Sequence, residues 1–253
     1  MTEILQTPKL VTVFGGSGFV GRHVVRALAK RGYQVRAAVR RPDLAGHLQP
    51  LGNVGQIQAV QANLRVRWSV DRAVQGASHV INLVGILHGD RGDPYGPQFA
   101  AAHVDLPRQI VESCNRTGVR RLIHMSALGA APEGPSMYLR SKGEGERIVR
   151  ESGLDWTIFR PSVVFGPDDH FLNLFAQLQH VAPVVPLACA HARFQPVFVM
   201  DVVQAFVNAM ANGATIGQTY ELGGPQVYTL EELVKFAGRA SGHPRPIIAL
   251  PDA

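Results

Sequence analysis

Cysteine is nearly absent from this sequence: Cys114 and Cys189 are the only two in 253 residues. They lie far apart and form no C-x-x-C pair. That excludes a disulfide scaffold or zinc ribbon and points to a reducing compartment. The ten histidines include no H-E-x-x-H, so no metal site is expected. Charge is scarce too: Asp, Glu, Lys and Arg make up 17%, below the ~25% usual in soluble domains. A disordered, charge-rich chain is excluded. Lysine is almost missing, with Lys9, Lys30, Lys142 and Lys235 the only four among 25 basic residues. No dense Lys/Arg run interleaved with aromatics occurs, so no nucleic-acid partner is expected. Met1 to Lys9 carries Glu3 and no long apolar region, which leaves no room for a signal or transit peptide. A cytoplasmic location is expected, with peripheral contact to an inner membrane as an extension of it.

What is present is apolar. The hydrophobic set reaches 46%, enough for a large core, and the net charge is +6. From Phe171 to Ala192 there is no Asp, Glu, Lys or Arg, a length that could span a bilayer. Pro183, Pro186 and the amides of Asn173, Gln177 and Gln179 argue against a spanning helix, so no transmembrane segment is expected. Phe171, Leu172, Leu174, Phe175 and Leu178 recur at helical spacing there. They read either as core packing or as an apolar substrate wall or membrane-surface face.

Short apolar runs alternate with helical patterns. Strands are expected at 9–14, 33–39, 57–60, 79–84, 121–125 and 157–159, the last with an exit at 163–165. Helices are expected at 19–30, 68–74, 101–117 and 138–152. Alternation of this kind predicts an α/β fold with a doubly wound parallel sheet, the Rossmann arrangement. Residues 1–160 form the dinucleotide-binding domain in this reading. Residues 161–253 form a small substrate-side lobe interleaved with the last sheet strands. Thr229 is placed to cap a helix with Glu231 and Glu232 in its first turn. Because Ala253 follows Pro251 almost at once, the lobe is expected to be truncated or abbreviated.

Between the first strand and first helix stands Gly15-Gly16-Ser17-Gly18-Phe19-Val20-Gly21. Three glycines so spaced arise by chance about 0.3 times in such a composition, so the pattern alone is weak. Its position carries the weight, since a helix N-terminus after a strand holds a pyrophosphate on backbone N–H groups. At the end of the second strand come Arg40 and Arg41 rather than an acid. A carboxylate there would bind the ribose hydroxyl of NAD, whereas guanidinium suits the 2′-phosphate of NADP. Tyr138-Leu139-Arg140-Ser141-Lys142 is Y-x-x-x-K, expected about 0.08 times by chance and placing both side chains on one helical face. A nearby ammonium draws a phenol toward use as an acid or base. Ser126, at the end of the fifth strand, is placed to polarise a carbonyl.

The glycine loop, Y-x-x-x-K, Arg160-Pro161-Ser162 and the stretch Gly217 to Gly224 together resemble the extended and atypical short-chain dehydrogenase/reductases. More narrowly, Tyr138 to Lys142 with Pro161 to Asn173 is similar to the branch containing the nucleotide-binding accessory subunit of respiratory complex I and its bacterial relatives. The resemblance implies a Rossmann fold with bound NADPH. It places Ser162 and Val163 beside the nicotinamide, and Leu83, Val84 and Gly85 beside the adenosine or its ribose. Pro161 is counted with the cofactor-binding residues, and the Lys142 of Y-x-x-x-K can also hold the nicotinamide ribose hydroxyls. Where many relatives carry an acid that touches adenine, this chain has Asn63 before Leu64. Where many carry asparagine in the helix after the fourth strand, it has His103.

The first functional reading is an NADP(H)-dependent oxidoreductase or epimerase-like enzyme acting on a small apolar or quinone-like carbonyl or alcohol. Tyr138 is its acid/base, Lys142 the tuner and Ser126 the polariser. The second is a non-catalytic NADPH-binding accessory or assembly protein beside a respiratory complex. A third is a nucleotide-sugar epimerase or dehydratase, with Arg193 as a cation for the diphosphate.

Overall fold

The computed structural model describes residues 9–63 and 66–251. The expectations placed on Met1 to Pro8, Leu64 and Ala253 lie outside the described residues. The chain forms two units: one of residues up to Arg160 with Val203–Glu221, the other of Pro161–Val202 and the residues from Leu222 onward.

The first unit runs β1 (Leu10–Phe14), α1 (Phe19–Lys30), β2 (Gln34–Val39), β3 (Ile57–Gln61), α2 (Arg67–Val74), β4 (His79–Asn82), α3 (Pro97–Ala100), α4 (Leu106–Thr117), β5 (Arg121–Met125), α5 (Met137–Arg150) and β6 (Asp155–Pro161). The second unit opens with β7 (Val164–Phe165), α6 (Leu172–Val181), β8 (Val185–Leu187), β9 (Arg193–Phe194) and β10 (Val197–Phe198). The next two elements, α7 (Val199–Ala211) and β11 (Gln218–Leu222), return the chain to the first unit. The second unit is completed by β12 (Tyr228–Thr229), α8 (Leu230–Ala240) and β13 (Ile247–Ala249).

The seven-stranded sheet has the order β11-β6-β5-β4-β1-β2-β3. Every pairing from β3 across to β6 is parallel. The order reverses between β1 and β4, and such a switch point opens a crevice at the strands' carboxyl ends. Period-two alternation divides the strand residues between two faces. Phe14, Ala38, Val80, Leu122 and Ile158 share one apolar cluster with Val70 of α2, Ile110 of α4 and Val149 of α5. On the opposite face the Phe159 ring meets Phe206 of α7 at 4.7 Å.

Two features depart from the expected pattern. The helix expected from Ala101 begins at Pro97, a residue suited to a first helical position, behind the extended Gly96. Between α3 and α4, Ala101–Asp105 form a widened π turn. Helix α7 has no counterpart in the sequence pattern. Its polar stripe, Asp201, Gln204 and Asn208, recurs at helical spacing on the exposed side but holds a single charge, so the signal is thin.

The second unit holds three short strand pairs, β7 with β10, β9 with β12, and β8 with β13. Its core of Val185, Leu187, Ala190 and Val234 is joined by Phe175, Leu230 and Ile247. Helix α8 begins in a capping box: Thr229 Oγ1 accepts from Glu232 N, and the Glu232 carboxylate accepts from Thr229 N at 2.7 Å. The apolar side chains of α6 do not form a closed core. Leu174 is 58% exposed and Leu178 37%, while Phe171, Leu172 and Phe175 are half-buried.

One buried cation stitches the first unit. The Arg121 guanidinium donates to Asp155 O, Thr157 Oγ1, Ala209 O and Thr215 Oγ1, all within 2.8 Å. It joins β5, β6, α7 and the turn before β11. Replacing a donor that serves several buried acceptors leaves each of them unpaired. Arg121→Leu is therefore expected to destabilise the chain by about 3 kcal/mol, read as a lower denaturant midpoint at unchanged slope.

Candidate dinucleotide site

The glycine loop sits where the sequence places it, between β1 and α1. Gly15 takes φ +78°, and its N–H donates to Ala38 O of β2 at 3.1 Å. A Cβ on Gly21 would stand 2.1 Å from Gly15 O, so no larger residue lets α1 start this close to the strand. Gly18 caps α1 through extended backbone with no side-chain hydrogen bond, and no acid occupies the first turn. Ser17 and Phe19 are half-buried and Val20 is buried. Unfilled helix-start amides and a positive dipole end are what a pyrophosphate requires, so these residues fit the group that the motif implies.

Leu83 and Val84 complete the cradle wall: a Cβ on Gly15 would lie 3.2 Å from Leu83 C and Val84 N. Arg40 and Arg41 are exposed past the end of β2. Arg41 is already engaged, its Nη2 2.7 Å from Asp43 Oδ2, which leaves Arg40 the better placed of the two for an incoming phosphate. Asn63 lies at the exit of β3, its backbone exchanging hydrogen bonds with Ser69 Oγ.

Beneath the crevice, one face of the sheet changes from apolar to polar. Along β5 and its exit, Leu122 is followed on the same face by His124 and Ser126; on β4, Val80 is followed by Asn82. All are buried. The α5 side chains that meet this layer are Lys142 and Glu146, four residues apart on one helical face. Lys142 is 2% exposed. Its ammonium donates to Met125 O at 3.1 Å and to Val84 O at 3.4 Å. Burial pushes it down to about 8, against the pull of Glu146. Burial would raise the Glu146 carboxyl as well. The Arg160 guanidinium, with Nε and Nη2 each 2.8 Å from the two carboxylate oxygens, outweighs that and holds it below the usual carboxylate range. Ser126 Oγ lies near this carboxylate and lowers it further, yet closes no hydrogen bond of full geometry. A buried hydroxyl left open in this way is available to a ligand oxygen.

The Tyr138 ring packs edge-on to His103 at 5.5 Å and to Phe99 at 6.5 Å. Burial pushes its phenol up to about 12. The expected drawing-down by Lys142 does not operate here, because that ammonium is turned to two backbone carbonyls. The structure thus brings Gly15, Leu83, Val84, Gly85, Lys142 and Ser126 into one connected set with Tyr138 at its edge. Pro161, Ser162 and Val163 belong to the second unit, where Ser162 N donates to Leu222 O and Val163 O accepts from Val197 N.

Sequence reasoning missed four members of the polar layer: Asn82, His124, Ser141 and Glu146. Glu146 had a signal, since it continues the Tyr138/Lys142 spacing by another four residues. The second unit carries a separate cleft of about 670 Å³ lined by Asp168, His170, Asn173, Gln177, His180 and His243 among others. The apolar residues Phe171, Leu172, Leu174, Phe175 and Leu178 do not line it. The Asp169 carboxylate in the same stretch accepts from Gly166 N, Phe171 N and Asn173 N, which makes Gly166 to Asn173 a self-tied turn.

Sheet order, glycine loop and switch point define a Rossmann-fold dinucleotide-binding protein. The chain belongs to the NAD dependent epimerase/dehydratase family, which matches residues 11–223. It is 38% identical over 231 residues to the mouse mitochondrial NADH dehydrogenase [ubiquinone] 1 alpha subcomplex subunit 9, covering 90% of this chain and 60% of that one. The chain therefore spans about 60% of the length of this relative. It is 30% identical over 246 residues to the ceramide reductase of Caulobacter vibrioides, with 96% and 74% covered. The UDP-glucose 4-epimerase of Thermus thermophilus in complex with NAD superposes with a TM-score of 0.80 at 23% identity, over 96% of this chain and 86% of that one. That likeness speaks for the fold. Among the described residues no helix is long and apolar enough to cross a membrane, and no group of three or more His, Cys, Asp or Glu could hold a metal ion.

The two buried histidines make the site acid-sensitive. Burial pushes His103 down to about 2 and His124 to about 3, with the Lys142 charge adding to both. Below pH 6.5 the unfolded chain takes up protons that the folded chain refuses, so stability is lost as pH falls from 6.5 toward those values. Each histidine contributes about 1.4 kcal/mol per pH unit. His79, lowered by burial as well, adds to the effect. Urea midpoints are expected to drop steeply between about pH 6.5 and about pH 4.5, and His124→Asn should make that slope shallower by about 1.4 kcal/mol per pH unit.

Proposed function

We propose that this chain binds NADP(H) in preference to NAD(H) and serves hydride transfer between that cofactor and an apolar carbonyl or alcohol carbon. The observation that carries the reading is the joining of an open, uncapped glycine-loop cradle to the buried Lys142–Ser126 set through the Leu83–Gly85 loop. Gly15, Ser17, Gly18, Phe19, Val20 and Gly21 would hold the pyrophosphate. Arg40 would hold the 2′-phosphate, and Lys142 the nicotinamide ribose. A nicotinamide supplies or accepts the hydride when bound. Ser126 holds the substrate oxygen, and Tyr138 passes a proton to or from it at Oη. The half-buried phenol, packed against the Phe99 ring, favours an apolar substrate over a sugar diphosphate.

A second reading has one observation in its favour. A phenol at about 12 and an ammonium bound to carbonyls form a resting pair without a tuned acid or base. Such a pair suits a protein that holds NADPH without turnover. The mouse relative bears the name of a subunit of NADH dehydrogenase. On this reading the partner is a respiratory or membrane-bordering assembly, and the exposed Leu174 and Leu178 on α6 supply an apolar contact.

One experiment tests the cofactor preference that both readings share, and a second separates them. Losing a charge-assisted phosphate contact costs about 1.5–3 kcal/mol, so Arg40→Asp should weaken NADP+ binding roughly 10- to 150-fold and leave NAD+ little changed, read by fluorescence titration. Equal wild-type affinities for the two nucleotides would refute the preference. Tyr138→Phe should abolish oxidation of added NADPH by an accepted carbonyl while keeping nucleotide affinity within about threefold. A wild type that binds NADPH yet reduces none of a panel of apolar carbonyls and quinones supports the accessory reading.

A further inference from the structure

We propose that His103 is a positioning residue: its imidazole clamps the loop after β4 to α5, so that dinucleotide binding at that loop depends on a side chain outside the loop. The inference rests on the dinucleotide reading above.

Three backbone groups of this loop are held by side chains. Val84 N donates to Asn82 Oδ1 at 3.1 Å, Val84 O accepts from Lys142 Nζ, and Ile86 N donates to His103 Nε2 at 3.0 Å. The wall that faces the glycine loop is therefore set from below by three residues of the polar layer. Between these anchors, a Cβ on Gly85 would stand 3.1 Å from Lys142 Nζ and 3.7 Å from His103 Nε2, so the loop lies directly on both.

The hydrogen bonds run in one direction. Because Ile86 N–H donates to Nε2, the proton of the neutral ring sits on Nδ1. Nδ1 lies 2.8 Å from Ser141 Oγ, and Ser141 Oγ itself donates to Tyr138 O at 2.9 Å. Ser141 can then only accept from the ring, which is what the tautomer provides. The chain Ile86 N–H, imidazole, Ser141, Tyr138 C=O is complete from the loop to α5. A charged ring would set a second N–H against Ile86 N–H, and burial keeps the ring neutral.

The backbone is shaped to deliver this ring. The π turn at Ala101–Asp105 carries His103, and such turns gather at functional sites. His103 O presses on α5, where a Cβ on Gly145 would lie 2.2 Å away. A residue with any side chain at 145 would push the imidazole off the loop.

Substitutions divide the two ring nitrogens. The Gln oxygen reaches the place of Nε2 and can accept from Ile86 N; the Asn side chain ends near Nδ1 and cannot. The test uses the full chain. Amide hydrogen exchange at Ile86 without nucleotide reads the clamp, exchange at Ile123 in β5 reads global stability, and NADP+ titration reads the consequence. His103→Leu should speed Ile86 exchange by about tenfold or more relative to Ile123 and weaken NADP+ about tenfold. His103→Gln should restore both to within about threefold of wild type, and His103→Asn should restore neither. If His103→Leu does not fold, the contrast between Gln and Asn decides. Ile86 exchange unaltered by His103→Leu, or restored equally by Asn and Gln, overturns the clamp. Altered exchange with unaltered affinity overturns its link to binding. A wild type that binds neither NADP+ nor NAD+ while Ile86 still follows the expected order overturns the dinucleotide reading and upholds the clamp.

Discussion

A buried ammonium is the constraint around which the first unit is organised. Lys142 sits almost wholly out of water, and removing such a charge from solvent costs several kcal/mol unless partners surround it. Two backbone carbonyls solvate it directly. Glu146, one turn further along α5, supplies the countercharge, and Arg160 keeps that carboxylate ionised. The neighbouring imidazoles of His103 and His124 stay neutral because they are buried, and the nearby Lys142 charge adds to the cost of protonating them. The polar layer at the strand ends is therefore one electrostatic unit, and its members are set by each other more than by the sheet beneath them.

That unit lies where an open α/β sheet receives ligands. The glycine loop, the Leu83–Gly85 wall and α5 belong to three separate βα turns, and close backbone packing and hydrogen bonds tie each to the next. Val84 faces the cradle with its N and side chain and solvates Lys142 with its carbonyl. The cradle wall and the electrostatics of α5 thus meet at one residue. The mouse and Caulobacter relatives are named for different roles, as a respiratory subunit and a reductase. A scaffold of this kind admits both, because the chemistry depends on whether the phenol is tuned and not on the fold.

Much of the scaffold was readable in the sequence because its signals are local. The glycine loop, Y-x-x-x-K and the Thr229 capping box each occupy a few consecutive residues, and strand–helix alternation repeats along the chain. Of the polar layer, Ser126 and Lys142 were readable and His103 stood out, but Asn82, His124, Ser141 and Glu146 were not, because they meet the others only once several elements have packed. Singly, each reads as an ordinary polar residue in an apolar run or on a helix face. Helix α7 escaped because its exposed stripe of Asp201, Gln204 and Asn208 holds only one charge and is easily read as part of an apolar run. The apolar stretch on α6 has the expected helical spacing, yet spacing alone does not tell which of its residues water reaches.

The path of the chain through the two units carries a consequence for biosynthesis. The outermost strand of the central sheet, β11, lies after the whole first segment of the second unit. A nascent chain emerging from the ribosome presents β6 as an unprotected edge while residues 161–217 are still being made. Strands left open in this way are templates for mispairing, and the buried Arg121 waits for Ala209 and Thr215 over the same interval. The ribosome thus releases this fold in a fixed order, in which the crossing at Pro161 is translated long before the sheet that it leaves can close.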